Sequence, residues 1–293
     1  MPFIVTLIAS LTRLTPAIGT MAMEAVGASA ITWLAEATAC EFALPEGANA
    51  AIAELRLREA LAAHPVDVVV LPAEGRRKKI LIADMDSTMI DQECIDELAD
   101  EIGMKDHIAA ITRRAMNGEI AFEPALRERV LLLKGLPVSV ISKVLGERIT
   151  LAAGGRELIA TMRKNGAHTA LVSGGFTAFT GPVAARLGFD ENIANRLLEE
   201  DGRLTGKVAE PILGRQAKAD ALLKTAARLG LTPADAMAVG DGANDLDMIR
   251  LAGAGVALHA KPSVAAEARI RIDHGDLTAL LYIQGYKRPE FVR

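Results

Sequence analysis

The sequence contains few cysteines and few aromatic residues, and both shortages exclude classes of protein. Of its 293 residues only Cys40 and Cys94 are cysteines, and they form neither a disulfide framework nor a zinc-binding spacing. Phe, Trp and Tyr make up 3% of the chain, whereas hydrophobic residues as a whole make up 51%. This composition fits a soluble α/β protein in a reducing compartment and argues against disorder.

A strong excess of one charge and an apolar run of membrane length are also lacking. The net charge of −4 gives no reason to expect a nucleic-acid partner or an anionic membrane. The longest stretch without Asp, Glu, Lys or Arg, residues 165–185, contains four glycines and Pro182, which makes it a poor membrane span. The N-terminus lacks a basic n-region and Arg13 interrupts its apolar stretch, so we expect no signal peptide and a cytoplasmic location.

Residues 1–75 are expected to form a small α+β domain. The segments "FIVTLI" and "VDVVVL" predict strands, and "TPAIGTMAMEAVGA" and "GANAAIAELRLREALAAH" predict helices. The basic run "RRKK" that follows is interpreted as a solvated linker. We therefore expect residues 76–293 to form a second domain.

From Ile80 onwards, short apolar strands alternate with helical segments, which predicts a parallel sheet covered on both faces. Three of these strands, "ILIA", "AHTALV" and "DAMAV", each end at a polar cluster: "DMDST", "SGGF" and "GDGAND". Ligands of such sheets bind outside the carboxyl ends of the strands. The three clusters are therefore expected to converge in space.

Two segments interrupt this alternation. Residues 91–150 carry helical signals only, and an insert directly after the first strand is expected to lie over the site as a lid. In "NRLLEEDGRLTGKV", Asp201-Gly202 lies between alternating stretches and predicts a β-hairpin.

Carboxylates dominate the first and third clusters. Asp84 and Asp86 stand two apart at a strand end, where burying charge is costly unless something compensates for it. In the third cluster Asp241 is flanked by glycines and Asp245 follows four residues later. Oxygen ligands of this kind suit Mg²⁺.

Groups that can bind phosphate are found in the second cluster and on a later helix. Ser173-Gly174-Gly175 fits a loop that presents N–H groups to a phosphate, and it fits a plain turn equally well. Lys218 can place a positive charge on a phosphate, although taken alone it is more typical of an exposed lysine on a helix.

Taken together, D-x-D-S-T, S-G-G, a lysine and G-D-G-x-N-D, in that order, resemble the haloacid dehalogenase (HAD) superfamily of phosphatases. The resemblance spans about residues 80–285. Within it, "DMDSTMIDQECIDELA" and "MNGEIAFEPALRERVLLLKGLP" resemble the phosphoserine phosphatase family. This implies a Rossmann-like doubly wound parallel sheet with a helical cap insert. Residues 1–75 resemble, less distinctly, the ACT-type amino-acid-binding domains, which are ferredoxin-like α+β domains.

The resemblance also implies a role for each acid at the strand ends. Asp84 would be the nucleophile that forms an aspartyl-phosphate, and Asp86 the general acid and base. Mg²⁺ would be held by Asp84, the backbone carbonyl of Asp86 and Asp241. Asp245 would brace the metal site from behind these ligands.

Substrate binding is implied in the same way. The phosphoryl oxygens would be held by Ser173, Gly174 and Lys218, and Asn244 would contact the phosphate or the rest of the substrate. Glu93 would pair with an ammonium group, and Arg129 would take a carboxylate in a bidentate fork. Met116 and Phe122 would be apolar walls. Without the resemblance, Glu93 and Arg129 would be interpreted as solvated charges on helices.

The implied reaction is hydrolysis of O-phospho-L-serine to L-serine and phosphate, the last step of serine biosynthesis. One alternative is a phosphatase or phosphotransferase of the same superfamily that acts on another small metabolite, such as homoserine phosphate. Another is an inactive regulatory protein that senses serine. The sequence leaves the oligomeric state open, a homodimer included.

Overall fold

The computed structural model describes residues 2–9 and 13–292, which divide into two compact units. The first unit comprises Met1–Lys79, Ala153–Ala167 and Ile270–Arg293, and the second comprises Ile80–Ala152 and His168–Arg269. The expected domain boundary, between residues 75 and 76, lies near the end of the segment Met1–Lys79. The first unit, however, also includes the later segments Ala153–Ala167 and Ile270–Arg293. Independent folding of residues 1–75 and 76–293 stays a prediction. Within the described ranges, every helix is too short or too polar to cross a bilayer.

The N-terminal part of the first unit is an antiparallel sheet with two helices. Its strands lie in the order β2-β3-β1-β4. The elements are β1 Phe3–Ile8, α1 Pro16–Val26, β2 Thr32–Ala35, β3 Ala39–Ala43, α2 Ala50–Ala60 and β4 Asp67–Pro72. The chain order βαββαβ is that of ferredoxin-like folds. The small α+β domain that the sequence predicts is thus confirmed in its secondary structure.

Local sequence explains where helix α1 begins and ends. The Thr15 side chain accepts a hydrogen bond from the Ile18 backbone N–H, and Pro16 occupies the first turn, where its missing N–H costs nothing. The helix ends at Gly27, whose φ of 69° lies in the left-handed region that glycine tolerates best.

Asp67 joins the sheet of the first unit to its C-terminal segment. Later parts of this unit form α7 Gly155–Lys164, β12 Ile270–Ile272 and α12 Ala279–Tyr282. The buried Asp67 carboxylate accepts backbone N–H bonds from Asp273 at 2.8 Å, His274 at 3.1 Å and Gly275 at 2.7 Å. Burial raises the pKa of Asp67, and these three N–H groups oppose the rise. A fragment that begins at residue 76 lacks this acceptor.

The second unit is built on a parallel sheet. Its strands lie in the order β11-β10-β5-β6-β7, and each neighbouring pair is parallel. Their bounds are β5 Ile80–Ala83, β6 His168–Phe176, β7 Glu191–Asn195, β10 Ala236–Gly240 and β11 Ala254–Leu258. Strand β7 was not expected from the sequence because "ENIAN" is polar. Among the described strands it pairs with β6 alone, and a strand at the edge of a sheet can be polar.

Both faces of this sheet are covered, as the sequence predicts. Ile80 and Ile82 pack in one cluster with Leu222. Leu81 and Ala83 alternate with them and are also fully buried. The helices of this part are α8 Thr177–Leu187, α9 Arg215–Arg228, α10 Leu246–Leu251 and α11 Pro262–Ala265.

The insert after β5 is helical, which confirms the prediction for residues 91–150. It contains α3 Cys94–Asp100, α4 Lys105–Met116, α5 Phe122–Leu132 and α6 Ser139–Glu147. The chain leaves and returns at one place, where Ile90 pairs antiparallel with Leu151 and the Asp91 N–H donates to the Thr150 carbonyl. The two ends of the insert are therefore hydrogen-bonded to each other.

The predicted hairpin is present and supports the insert. Strands β8 Leu197–Glu200 and β9 Arg203–Val208 are antiparallel. Asp201 and Gly202 between them have φ values of 49° and 72°, as a two-residue hairpin turn requires. The Gly135 N–H after α5 donates to the Leu204 carbonyl at 2.8 Å. The hairpin was foreseen from the sequence, but this contact was not.

Asp67→Ala is expected to lower the free energy of unfolding by about 1–3 kcal/mol, because three backbone N–H groups would lose their acceptor. Denaturant titration followed by circular dichroism measures the change. Glu59→Ala, which removes an exposed carboxylate from α2, is the matched control and should change stability by less than about 0.5 kcal/mol. Equal stability of Asp67→Ala and the wild type would contradict the prediction.

Candidate active site

The three polar clusters converge at the carboxyl ends of adjacent strands, as predicted. Asp84 follows β5, Ser173 lies near the end of β6, and Asp241 follows β10, and β5 is the neighbour of both other strands. Most of the predicted site residues line one cavity there: Asp84, Asp86, Glu93, Arg129, Ser173, Gly174, Asp241 and Asn244.

Lys218 is buried at the centre of the carboxylate cluster. Its Nζ lies 2.6 Å from Oδ1 of Asp84 and 2.5 Å from Oδ1 of Asp245. Burial lowers the pKa of Lys218, but the two carboxylates outweigh burial and raise it overall, so the amine stays protonated. Only 2% of the surface of Lys218 is exposed. The interpretation of Lys218 as an exposed helix lysine, which the sequence favours when this residue is taken alone, is therefore wrong.

Asp245 shapes the loop after β10 as well as pairing with Lys218. Its Oδ2 accepts the Gly242 N–H at 3.0 Å. A Cβ on Gly240 would overlap the Asp245 carboxyl group, so this strand end requires glycine. The position of Asp245 is compatible with the bracing role that the resemblance implies.

Three buried carboxylates form a group that fits a cation. Oxygens of Asp84, Asp241 and Asp245 all lie within 4.8 Å of one another. Asp241 Oδ1 accepts a bond from the Thr88 hydroxyl at 3.1 Å, whereas Lys261 Nζ approaches Oδ2 at 3.4 Å without hydrogen bonding to it. Burial and the charge of Asp245 raise the pKa of Asp241 to about 7.

Two unsatisfied oxygens, one in this group and one beside it, are consistent with a bound ligand. In the described part of the chain, Oδ2 of Asp241 and Oδ1 of Asn244 are buried without a hydrogen-bond partner. Such groups are costly unless a ligand satisfies them. Carboxylate oxygens are the donors that hard divalent cations prefer. The residues present therefore fit a metal ion.

Both carboxylate oxygens of Asp86 accept hydrogen bonds, one from the insert and one from the second polar cluster. Its Oδ1 accepts the Cys94 N–H at 2.8 Å, and its Oδ2 accepts a bond from the Ser173 hydroxyl at 3.3 Å. Burial raises the pKa of Asp86. A Cβ on Gly175 would lie 3.0 Å from Oδ2 of Asp86, so the second glycine of "SGG" allows this close approach. A carboxyl group with a raised pKa can hold a proton beside a leaving group.

Glu93 and Arg129 come from the insert and line the same cavity. Glu93 accepts a bond from the Ser87 hydroxyl at 2.9 Å, and burial, with the charges of Asp86 and Asp241, raises its pKa well above the usual range. Burial lowers the pKa of Arg129 while Glu93 opposes that shift. Arg129 is 2% exposed, so it is not a solvated helix charge.

Met116 and Phe122 close the cavity from the insert. A Cβ on Gly174 would lie 2.7 Å from Cζ of Phe122, and one on Gly242 would lie 3.0 Å from Sδ of Met116. The insert therefore lies directly against the strand-end loops, and glycine makes room for it at both contacts. Both side chains line the cavity, as expected of apolar walls.

Sequence reasoning missed several residues of the site. Thr88 and Lys261 contact Asp241, and Asp96 and Thr112 lie behind Arg129. Asp96 follows Glu93 by three residues on the same helical face, which was an available signal. Thr88 belongs to the quoted motif "DMDST", which was a second signal, whereas Lys261 and Thr112 carried none because their partners lie far away in sequence.

Comparison with known proteins identifies relatives of the chain. The family model described as haloacid dehalogenase-like hydrolase matches residues 81–250. The chain is 43% identical to a phosphoserine phosphatase of Archaeoglobus fulgidus, over 73% of this chain and 62% of that protein. It is 41% identical to one of Streptomyces coelicolor, over 86% and 62%, and 41% identical to one of Methanocaldococcus jannaschii, over 70% and 97%. The chain thus spans less than two thirds of the first two relatives.

Solved structures with the same fold include a HAD family hydrolase from Salmonella enterica serovar Typhi. It has a TM-score of 0.86 and 30% identity, over 96% of this chain and 98% of that one. A substrate-bound phosphoserine phosphatase has a TM-score of 0.67 and 41% identity, over 70% of this chain and 97% of that one.

Lys218→Met is expected to lower the free energy of unfolding in chelator by about 3–5 kcal/mol, because Asp84 and Asp245 would lose their buried counter-charge. Denaturant titration of the variant and the wild type measures the difference. Lys224→Met, on an exposed position of the same helix α9, should be close to neutral. A Lys218→Met protein as stable as Lys224→Met would show that Lys218 does not balance the cluster.

Proposed function

The chain belongs to the haloacid dehalogenase-like hydrolase family, and on that premise we propose that it is a phosphoserine phosphatase. It hydrolyses O-phospho-L-serine to L-serine and phosphate, as the last step of serine biosynthesis. The observation that carries the proposal is a cavity with Asp84 and Asp86 on the sheet side and Glu93 and Arg129 on the insert side. The identities to phosphoserine phosphatases reported above support it.

The reaction begins with attack of Asp84 on phosphorus, which gives an aspartyl-phosphate. Asp86 protonates the serine oxygen as it leaves and then takes a proton from the water that hydrolyses the intermediate. The pKa of Asp86, raised by burial, favours the protonated form that the first step needs.

The negative charge of the phosphate is accommodated by cations and by N–H donors. Lys218, already beside Asp84, and the backbone at Ser173 and Gly174 hold the phosphoryl oxygens. Asn244 contacts the phosphate or the substrate.

Asp84, Asp241 and the backbone carbonyl of Asp86 would hold Mg²⁺, which would supply positive charge to offset that of the phosphate. Asp245 supports this arrangement through its bonds to Lys218 and Gly242. The buried Oδ2 of Asp241, which has no hydrogen-bond partner among the described residues, supports this assignment.

Selectivity for an amino acid comes from the insert. Glu93 pairs with the ammonium group of phosphoserine, which favours the charged form of a carboxyl group whose pKa burial raises. Arg129 binds the carboxylate through its planar fork of N–H groups. The substrate is a free metabolite, and the protein acts on it in the cytoplasm without a nucleic-acid or membrane partner.

A panel of phosphate esters with released phosphate as the readout tests the proposal. We expect phosphoserine to be hydrolysed with a higher kcat/KM than homoserine phosphate or an aryl phosphate. A higher value for another ester would overturn the substrate assignment, and no phosphate release from any ester in Mg²⁺ would favour an inactive sensor. Recovery of the phosphoryl group on an added alcohol would identify a phosphotransferase.

Chelation of Mg²⁺ is expected to abolish turnover and to leave the fold largely intact, because the metal screens Asp84 from the phosphate and does not tie the core together. Phosphate release and far-ultraviolet circular dichroism, measured on one sample before and after chelation, check both parts. Full activity in chelator would contradict the first part, and loss of most of the helical signal would contradict the second.

Arg129→Ala is expected to lower kcat/KM on phosphoserine at least tenfold, since losing a buried charged partner typically costs about 2–5 kcal/mol. An aryl phosphate has no carboxylate, so its slower hydrolysis should change far less. Asp84→Asn should abolish both activities, because the nucleophile serves every substrate.

Arg127→Ala removes an exposed arginine from the same helix α5 and is the matched control for Arg129→Ala. It should leave both activities near the wild-type values. If Arg129→Ala impaired the two substrates equally, Arg129 would have a structural role and the amino-acid specificity would lose its main support.

A further inference from the structure

A chain of hydrogen bonds that crosses three helices of the insert holds Arg129. On α5, Arg129 Nε donates to the Ala125 carbonyl at 3.0 Å. Arg129 Nη1 donates to the Thr112 hydroxyl on α4 at 3.0 Å. The Thr112 hydroxyl in turn lies 2.7 Å from Oδ1 of Asp96 on α3. The guanidinium is therefore bonded directly to α4 and linked through Thr112 to α3.

The direction of each bond follows from the proton count of the Thr112 hydroxyl. A hydroxyl has one proton to donate and lone pairs to accept with, and a guanidinium can only donate. Because Thr112 accepts from Arg129, its own proton is available for Asp96. The Ile108 carbonyl lies 3.1 Å from the same hydroxyl, farther than Asp96 and without a charge. The Arg129 guanidinium thus donates to the Thr112 hydroxyl, and that hydroxyl donates to the Asp96 carboxylate.

Neither Asp96 nor Thr112 lines the cavity, whereas Arg129 does. The buried Thr112 hydroxyl is already bonded to Arg129 and Asp96. Among the described residues, the bonds of Arg129 use two of its five N–H groups. Donors therefore remain for a carboxylate that enters the cavity, and the side chain is already ordered before the carboxylate arrives.

We propose that Thr112 and Asp96 are positioning residues that orient Arg129 for the carboxylate of the substrate, an inference that rests on the proposed function. A long arginine side chain loses conformational freedom when it binds a ligand, and ordering it in advance reduces that loss. Asp96 also supplies negative charge behind a buried cation. Specificity for the amino-acid end thus depends on residues that the substrate does not touch.

A pair of substrates separates this role from simple packing of the insert. O-phospho-L-serine has a carboxylate, whereas O-phosphoethanolamine has the same phosphate and ammonium groups without it. Thr112→Val keeps the shape of the side chain and removes the hydroxyl. It is expected to lower kcat/KM on phosphoserine about tenfold, mainly through KM, and to change the value for phosphoethanolamine less than about twofold.

Two further variants complete the design. Thr112→Ser keeps the hydroxyl and should restore kcat/KM on phosphoserine to within about threefold of the wild type. Asp96→Asn keeps an acceptor but removes the charge, and it should show the same selective loss to a smaller degree. If Thr112→Val does not fold, Asp96→Asn carries the test with the same two substrates.

The outcomes distinguish this inference from the proposed function. If Thr112→Val and Asp96→Asn lowered kcat/KM equally on both substrates, or on neither, the positioning role would be overturned. The proposed function would still hold as long as the wild type preferred phosphoserine. A wild-type enzyme that hydrolysed both substrates equally well would overturn the proposed function, and the positioning role with it.

Discussion

The ion pairs between buried Lys218 and the carboxylates of Asp84 and Asp245 are the interaction on which the rest of the site depends. Charges are stable in a protein interior only when they are paired and hydrogen-bonded. Lys218 comes from helix α9 and the two acids from different strand ends, so this contact joins three parts of the second unit. Asp241, the third acid of the cluster, has one buried oxygen without a hydrogen-bond partner among the described residues.

The site divides its chemistry between the sheet and the insert. The strand ends present the acids and the glycine-rich loops, which suit phosphoryl transfer in general. The insert contributes Glu93, Arg129 and the apolar walls, which suit one class of substrate. The proposed selectivity for an amino acid would therefore reside in the segment between β5 and β6.

Close approach between the insert and the sheet is possible because small residues stand at the contacts. Phe122 lies where a side chain on Gly174 would be, and Met116 lies close to Gly242. On another side, the hairpin of β8 and β9 supports the turn after α5 through Gly135 and Leu204. The helix that carries Arg129 is thus held by contacts that are distant from it in sequence.

The sequence by itself determined the parallel sheet, the helical insert, the hairpin and the polar residues at the strand ends, whereas the cavity residues of the insert were implied only by the family resemblance. The reason is that apolar strands, turn residues and the spacing of "DMDST", "SGGF" and "GDGAND" are local signals, and the carboxyl ends of parallel strands must meet. Only the tertiary structure decided that Lys218 is buried between Asp84 and Asp245. It also decided that Asp67 binds the turn at residues 273–275, and that Thr112 and Asp96 lie behind Arg129. Each of these contacts joins residues far apart in the chain or on different helices, and the burial that gives it strength exists only after the chain has folded.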